Sequence, residues 1–223
     1  MSVDIEISPS LIARAHEFAE LRARMKRILR DNDMEFDKFT VTERDSFDGF
    51  IAEASFTEFL KDNIGLREDE IARWGKDHPI DGKTLEKIII YPAEKKFSSS
   101  ELSMIRDHFY DKWDLLIRRV RIDVKTAATH LQPTGRWTYG VSKIQMEKGN
   151  KDFIVLNYLI YDKDPKANAD ATPIKCVLVG CLSIDYVIKN CPVVRKNKAA
   201  GHKYFIENYE TKVSEYMDVS EMF

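Results

Sequence analysis

Two carboxylates and one ammonium group lie close together in the stretch from Trp113 to Ala127. Asp114 opens one short apolar run, and Asp123 and Lys125 close a second run that begins after Arg118-Arg119. Side chains alternate between the faces of a strand, so Asp123 and Lys125 share one face and their apolar neighbours face the core. If the runs pair as a hairpin, Asp114 comes near Asp123 where its own strand diverges. Two carboxylates in a small space repel each other unless a cation lies between them.

This combination of groups suits the hydrolysis of a phosphodiester. A divalent metal supplies a nucleophilic water, neutralises the oxyanion and stabilises the leaving group. Mg²⁺ prefers carboxylate oxygens and keeps several waters. Lys125 can hold the attacking water or offset negative charge in the transition state. An exposed ion pair on an edge strand is the structural alternative.

Asp114, followed by Asp123-x-Lys125 at the end of a hairpin, resembles the motif of the PD-(D/E)xK nucleases, the restriction-endonuclease-like family. Trp113 stands where the motif has a proline, a residue that family members often lack. In the family the two acids bind Mg²⁺ and the lysine positions or activates water. The resemblance implies catalytic roles for Asp114, Asp123 and Lys125. It also implies Mg²⁺, for which Mn²⁺ can substitute, on both acids and on the main-chain carbonyl of Val124.

A third acid is expected on the first core helix. Ala52, Phe56 and Leu60 recur at helical spacing and predict an amphipathic helix. In the family that helix often carries a glutamate that reaches the metal, and Glu53 resembles that residue in position. We therefore expect Glu53 to be a catalytic residue and a metal ligand. The alternative is a solvated helix glutamate.

The segment after Lys125 is predicted to lead toward a bound substrate. Its side chains suit contacts with phosphates or bases, and the candidates are Thr126, His130, Gln132, Arg136 and Trp137. An ordinary loop is the alternative interpretation. The net charge of −2 does not favour nucleic acid, so the basic residues of a nuclease would have to be grouped locally.

The pattern of elements predicts an α/β fold with a restriction-endonuclease-like core, in which helices flank a mixed sheet of about five strands. Residues 1–45 are expected to form a helical N-terminal segment, and residues 46–223 the nuclease core with a C-terminal extension. Helices are predicted over residues 9–30, 50–60, 101–110 and 183–188. Besides the hairpin, extended segments are predicted over residues 36–42, 87–91, 152–161, 174–182 and 201–206, whereas residues 142–147 fit either a strand or a helix.

The amino-acid composition and the cysteine spacing indicate which class of protein to expect. The chain has 223 residues, 32% of them charged, which is typical of a globular protein. No apolar run of about 18 residues and no basic-then-apolar N-terminus is present, so neither a membrane span nor a secretory signal is expected. Cys176, Cys181 and Cys191 fit no common zinc spacing, and reduced thiols in a cytoplasmic protein are expected.

Three functions fit these observations. The first is a Mg²⁺-dependent endonuclease of the type II restriction kind, which cuts double-stranded DNA at a sequence-specific site as a homodimer. The second is a nuclease of the same fold that acts on RNA or on branched or damaged DNA. In viral cap-snatching endonucleases a histidine joins the acids, a role that would fall here to His16 or His78. The third is a nuclease-like module without catalysis that binds DNA or a protein.

Overall fold

The computed structural model describes residues 2–34, 42–93, 96–196 and 203–223. Of the extended segment expected over residues 36–42, all but Thr42 lies outside these ranges. The helices are α1 (Pro9–Asp31), α2 (Glu43–Ile64), α3 (Trp74–Asp77), α4 (Gly82–Ile90), α5 (Ser99–Phe109), α6 (Lys143–Met146) and α7 (Ile184–Asn190). The strands are β1 (Val3–Glu6), β2 (Ile71–Arg73), β3 (Leu115–Ile117), β4 (Val120–Thr129), β5 (Thr138–Ser142), β6 (Phe153–Tyr161), β7 (Pro173–Ser183), β8 (Val193–Lys196) and β9 (Lys203–Lys212).

The main sheet is mixed and has the strand order β1-β7-β6-β4-β3-β2. β4 and β6 run parallel, and the other neighbours run antiparallel. A smaller sheet has the order β5-β9-β8. The predicted α/β class and the mixed sheet flanked by helices are confirmed. The sheet has six strands instead of about five because the short strands β1 and β2 extend its two edges.

Helices and the small sheet cover opposite faces of the main sheet. On one face, α2 shares a buried apolar cluster with β3, β4 and β6, which includes Phe56, Leu115, Ile122 and Val155. The other cluster joins β6 and β7 to the small sheet through residues such as Leu156 and Tyr209. Since both faces are covered, β6 reads as a nearly continuous apolar run, which is why its sequence predicted it well.

The hairpin of β3 and β4 turns through two residues, Arg118 and Arg119. Both have positive φ angles, of 48° and 75°, as tight two-residue hairpin turns require. The turn fixes the register at Leu115↔Ile122 and Ile117↔Val120.

Residues 87–91 are not the strand that their sequence predicts. They belong mostly to α4, which begins after Asp81, whose carboxylate accepts the Thr84 amide at 2.7 Å. Ile88 is fully buried against α1 and α5, whereas the next two isoleucines are more than half exposed. The run of β-branched residues therefore belongs to an amphipathic helix that buries only one of them, Ile88. Tertiary packing overrides β-propensity here.

Residues 2–34 contribute a strand to the main sheet as well as forming a helix. β1 pairs with β7 at the edge of the main sheet, from Val3↔Leu178 to Glu6↔Lys175. α1 packs on α2, α4 and α5. In the ranges described, no helix is long and apolar enough to cross a bilayer. The three cysteines are free and buried.

Candidate active site

Asp123 and Lys125 lie on the face of β4 that points away from α2. Ile122 and Val124, which alternate with them, belong to the apolar cluster beneath α2, as the strand periodicity predicts. Asp123 is only 3% exposed. Its Oδ2 lies 2.7 Å from the Nζ of Lys125. The same Nζ donates to the Oε1 of Gln145 on α6 at 3.1 Å, so the lysine is held from two sides.

Asp114 lies where the hairpin opens. Its amide donates to the carbonyl of Ile122 at 2.9 Å, so its backbone stays bonded to β4 just beyond the last register pair, Leu115↔Ile122. Its Oδ2 accepts the amide of Val124 at 2.5 Å. The carboxylate therefore takes the place of a strand partner for Val124 and brings the acid to the Asp123 end of the hairpin.

Lys151 is a further member of the site that sequence analysis missed. It precedes β6, which runs parallel to β4 with Ile122 opposite Phe153. Its Nζ lies 2.6 Å from Asp123 Oδ1, so that each oxygen of Asp123 faces one lysine. No periodicity in the sequence connects Lys151 with Asp123, because the contact arises from the pairing of distant strands.

Glu53 and Asp111 complete a group of four carboxylates with Asp114 and Asp123, here called the acid cluster. Glu53 lies half-buried on α2, and Asp111 is exposed after α5. Arg22 of α1 lies 3.8 Å from Asp111 and also donates to the carbonyl of Phe109 at 3.0 Å. Asp111 is the second residue missed by sequence analysis, although it lies only three positions before Asp114.

The direction of the pKa shift distinguishes Asp123 from Glu53 and Asp114. Loss of solvent, together with the nearby charge of Asp111, raises the pKa of Glu53 to about 7. Burial, followed by the charges of Glu53 and Asp123, raises the pKa of Asp114 well above its usual value. Burial alone would also favour the neutral form of Asp123, but Lys125 and Lys151 together lower its pKa. In turn, although burial opposes its charge, Asp123 raises the pKa of Lys125. Asp123 is therefore the compensated acid, and Glu53 and Asp114 repel each other.

A cleft of about 750 Å³ opens beside the uncompensated acids. Glu53, Asp111 and Asp114 lie in its wall, and α1, α2 and the β2–α3 segment form the remaining sides. Acidic side chains outnumber basic ones in its lining, and the basic ones are Arg14, Arg22, Arg73 and Lys76. Solvent and small ions can therefore reach the acids by this route.

The donor chemistry of the acid cluster fits a hard divalent cation, because carboxylate oxygens are the ligands that Mg²⁺ prefers. Yet among the residues described, no group of three or more Asp, Glu, His or Cys side chains is arranged to hold a metal ion. The contacts explain this arrangement. Both oxygens of Asp123 face lysines, and one oxygen of Asp114 accepts an amide. Rotation of these side chains would be needed before they could share a cation with Glu53.

Of the predicted nucleic-acid contacts, Thr126 directly follows Lys125 in β4, whereas His130 lies beyond the end of that strand. β4 continues to Thr129, so His130 lies seven residues beyond Asp123, roughly 23 Å along an extended strand. His130, Gln132 and Arg136 are exposed there. Trp137 packs edge-on against Tyr158 with ring centroids 5.4 Å apart, and the main-chain carbonyl of Thr126 accepts the Tyr139 hydroxyl at 3.2 Å.

The two histidines considered as extra ligands have aromatic partners. The ring of His16 lies 4.5 Å from that of Phe47. His78 stacks on Trp74 with ring centroids 3.7 Å apart. Both histidine rings therefore pack against aromatic side chains.

Comparisons with protein-family models, with curated proteins and with solved structures find no match to this chain.

Proposed function

We propose that this chain is a divalent-metal-dependent endonuclease that hydrolyses phosphodiester bonds in double-stranded DNA. One observation carries the proposal: the carboxylate of Asp114 accepts the amide of Val124, the residue between Asp123 and Lys125, and Lys125 lies 2.7 Å from Asp123. A buried ion pair costs desolvation that its attraction repays poorly, so stability alone is a weak reason for this cluster. Glu53 and Asp114, whose charges repel each other, add to that cost.

Each residue has a role in the proposed reaction. Asp114, Asp123 and Glu53 would hold Mg²⁺ or Mn²⁺, together with the carbonyl of Val124, and the ion would activate water and stabilise the leaving oxygen. Lys125, which contacts Asp123 and Gln145, would supply a positive charge to the attacking water or to the phosphate oxygens in the transition state. The cleft beside Glu53 and Asp114 admits water to the acids.

The substrate part of the proposal follows from the resemblance to type II restriction endonucleases. A homodimer would present two sites to the two strands of a duplex, and its two-fold symmetry would match a palindromic sequence. The exposed His130, Gln132 and Arg136 belong to the proposed DNA surface, but at the far end of β4 from the acids. RNA, branched or damaged DNA and binding without cleavage are the alternatives that the first experiment separates.

The first experiment incubates the protein with plasmid DNA and with single-stranded RNA, each with Mg²⁺, with Mn²⁺ and with EDTA. We expect discrete DNA fragments that EDTA prevents. Asp123→Ala and Lys125→Ala should each lower the cleavage rate at least about 100-fold, since removing one electrostatic contributor to a transition state typically costs that much. Lys143→Gln is the matched control, because Lys143 forms an ion pair with Glu207 outside the acid cluster.

The alternatives give different results in the same experiment. Degraded RNA beside intact plasmid would assign the site to RNA. DNA binding without cleavage of either substrate would favour the binding module. A Lys125→Ala variant that is folded, as circular dichroism can establish, and still cuts like the parent would refute the active-site assignment.

A further inference from the structure

Lys151 contacts an oxygen of Asp123 that the proposed metal ion would need as a ligand. Its Nζ lies 2.6 Å from Asp123 Oδ1, while Lys125 faces Oδ2 at 2.7 Å. The ammonium of Lys151 is thus a cation at contact distance from the most deeply buried carboxylate of the acid cluster. The two lysines differ in origin, because Lys125 shares a strand with Asp123 and Lys151 belongs to the segment before β6.

The backbone on which Lys151 stands is firmly held. The carboxylate of the next residue, Asp152, accepts the amide of Arg121 at 2.8 Å and its guanidinium at 2.7 and 3.0 Å. The Asp152 amide donates to the Arg121 carbonyl at 2.8 Å. This clamp joins the start of β6 to the start of β4. It anchors the backbone of Lys151 beside Asp123, and the four-carbon side chain, which is only 12% exposed, carries the ammonium to the carboxylate.

We propose that Lys151 is a built-in counter-cation that competes with a divalent metal for Asp123 Oδ1 and thereby sets the metal affinity of the site. Without metal, the lysine compensates the buried carboxylate. When a metal ion binds, the ammonium leaves Oδ1, and Asp123 turns toward Asp114 and Glu53. This inference rests on the proposed function for the metal, but it concerns binding and does not depend on which phosphodiester is cut.

The test measures Mn²⁺ binding to the full chain by isothermal titration calorimetry, without substrate. Lys151→Gln removes the charge and keeps a hydrogen-bond donor for Asp123. We expect this variant to bind Mn²⁺ about tenfold more tightly than the parent, because a neighbouring charge at contact distance typically changes the binding of another charge by at least this factor. Lys151→Arg keeps the competing charge and should stay near the parent affinity. Lys143→Gln again serves as the control.

Two results would overturn the inference. Unchanged or weaker Mn²⁺ binding in a folded Lys151→Gln variant would show that the lysine does not compete. Absence of Mn²⁺ binding to the parent and to all variants would remove the metal site itself. If Lys151→Gln does not fold, Lys151→Met and the Lys151→Arg comparison supply the same contrast in charge.

The nuclease function and the role of Lys151 can be refuted independently of each other. Tighter Mn²⁺ binding by Lys151→Gln, combined with no cleavage of DNA or RNA by the parent, would support Lys151 as the counter-cation and refute the nuclease. Cleavage by the parent, combined with unchanged metal affinity in Lys151→Gln, would refute only the role of Lys151. The metal concentration at half-maximal cleavage provides a second readout and should fall in Lys151→Gln by the same factor as the dissociation constant.

Discussion

At the scale of single residues, the acid cluster combines two acids that face cations, Asp123 and Asp111, with two that form no ion pair among the contacts described, Glu53 and Asp114. Asp123 has a lysine on each oxygen, whereas Asp114 accepts a backbone amide, and burial together with the charge of Asp111 raises the pKa of Glu53. Functional sites commonly retain groups whose charges oppose folding. Removal of such a group should therefore stabilise the metal-free protein.

The substitution Glu53→Gln tests how strongly the charge of Glu53 destabilises the metal-free protein. Because the pKa of Glu53 is raised to about 7, its ionisation opposes folding increasingly as the pH rises from about 4.5 to 7. The glutamine variant should be more stable than the metal-free parent at pH 8 by about 1 kcal/mol, with little difference at pH 4. Urea unfolding at both pH values in EDTA measures the difference.

Glu58→Gln is the matched control for that measurement. Glu58 lies on the same helix, is exposed and pairs with Lys61 at 2.8 Å. Its replacement should change stability by less than about 0.5 kcal/mol in either direction. Equal destabilisation by the two substitutions at pH 8 would mean that Glu53 is an ordinary helix glutamate.

At the scale of elements, α4 and α5 are joined by an ion pair that also caps a helix. Glu101 accepts the Ser98 amide at 2.7 Å in a capping box and lies 2.8 Å from Lys87 of α4. These two contacts, with the lysine as the larger effect, lower the pKa of Glu101 to about 2. The ion pair between Lys87 and Glu101 therefore connects α4 to the N-terminal cap of α5.

Glu101→Gln should weaken the fold in a pH-dependent way. A lowered folded-state pKa contributes stability that is present above about pH 4.5 and is lost as the pH falls toward 2. The variant should be less stable than the parent at pH 7, and the difference should shrink between pH 4.5 and pH 2. Thermal unfolding at pH 7 and pH 3 measures it. In a double-mutant cycle with Lys87→Gln, fully additive effects would contradict the coupling.

A second element-scale contact closes the C-terminal segment over β7. Gly180 has a φ of 146°, and a Cβ added there would lie 2.2 Å from the carbonyl oxygen of Met217. Cys181 and Met217 exchange both backbone hydrogen bonds next to it, at 3.0 and 2.9 Å. Only glycine lets the segment approach the strand this closely.

Gly180→Ala should therefore destabilise the protein by about 2 kcal/mol or more, because the segment must move away from β7. Gly149→Ala is the control, since Gly149 also has a positive φ but nothing lies within 4 Å of the added Cβ. That substitution should cost about 1 kcal/mol, from backbone strain alone. Similar urea midpoints for the two variants would show that the close approach at Gly180 is unimportant.

At the scale of the whole molecule, sequence patterns predicted the elements whose structure is determined by residues close together in the sequence. The hairpin of β3 and β4, the helix of Glu53 and the buried strands β6 and β7 all carry strong periodicity or long apolar runs. The predicted placement of Asp123 and Lys125 on one face of β4 follows from the same alternation. What the sequence could not supply is contact between distant segments, such as Lys151 with Asp123.

The same limit explains the wrong prediction of a strand over residues 87–91. These residues have the composition of a strand, yet the pocket formed by α1 and α5 selects a helix with Ile88 inside. Packing against residues far away in the sequence therefore decided the structure of this segment.

The pairing of β1 with β7 also has a consequence for the order of assembly. Val3 and Leu178 are neighbours in the sheet although 175 positions separate them along the chain. Ordering so long an intervening segment costs more conformational entropy than closing the local hairpin of β3 and β4. We therefore expect the hairpin that carries Asp114 and Asp123 to form early, and the sheet edge at β1 to be completed late, after β7 has joined β6.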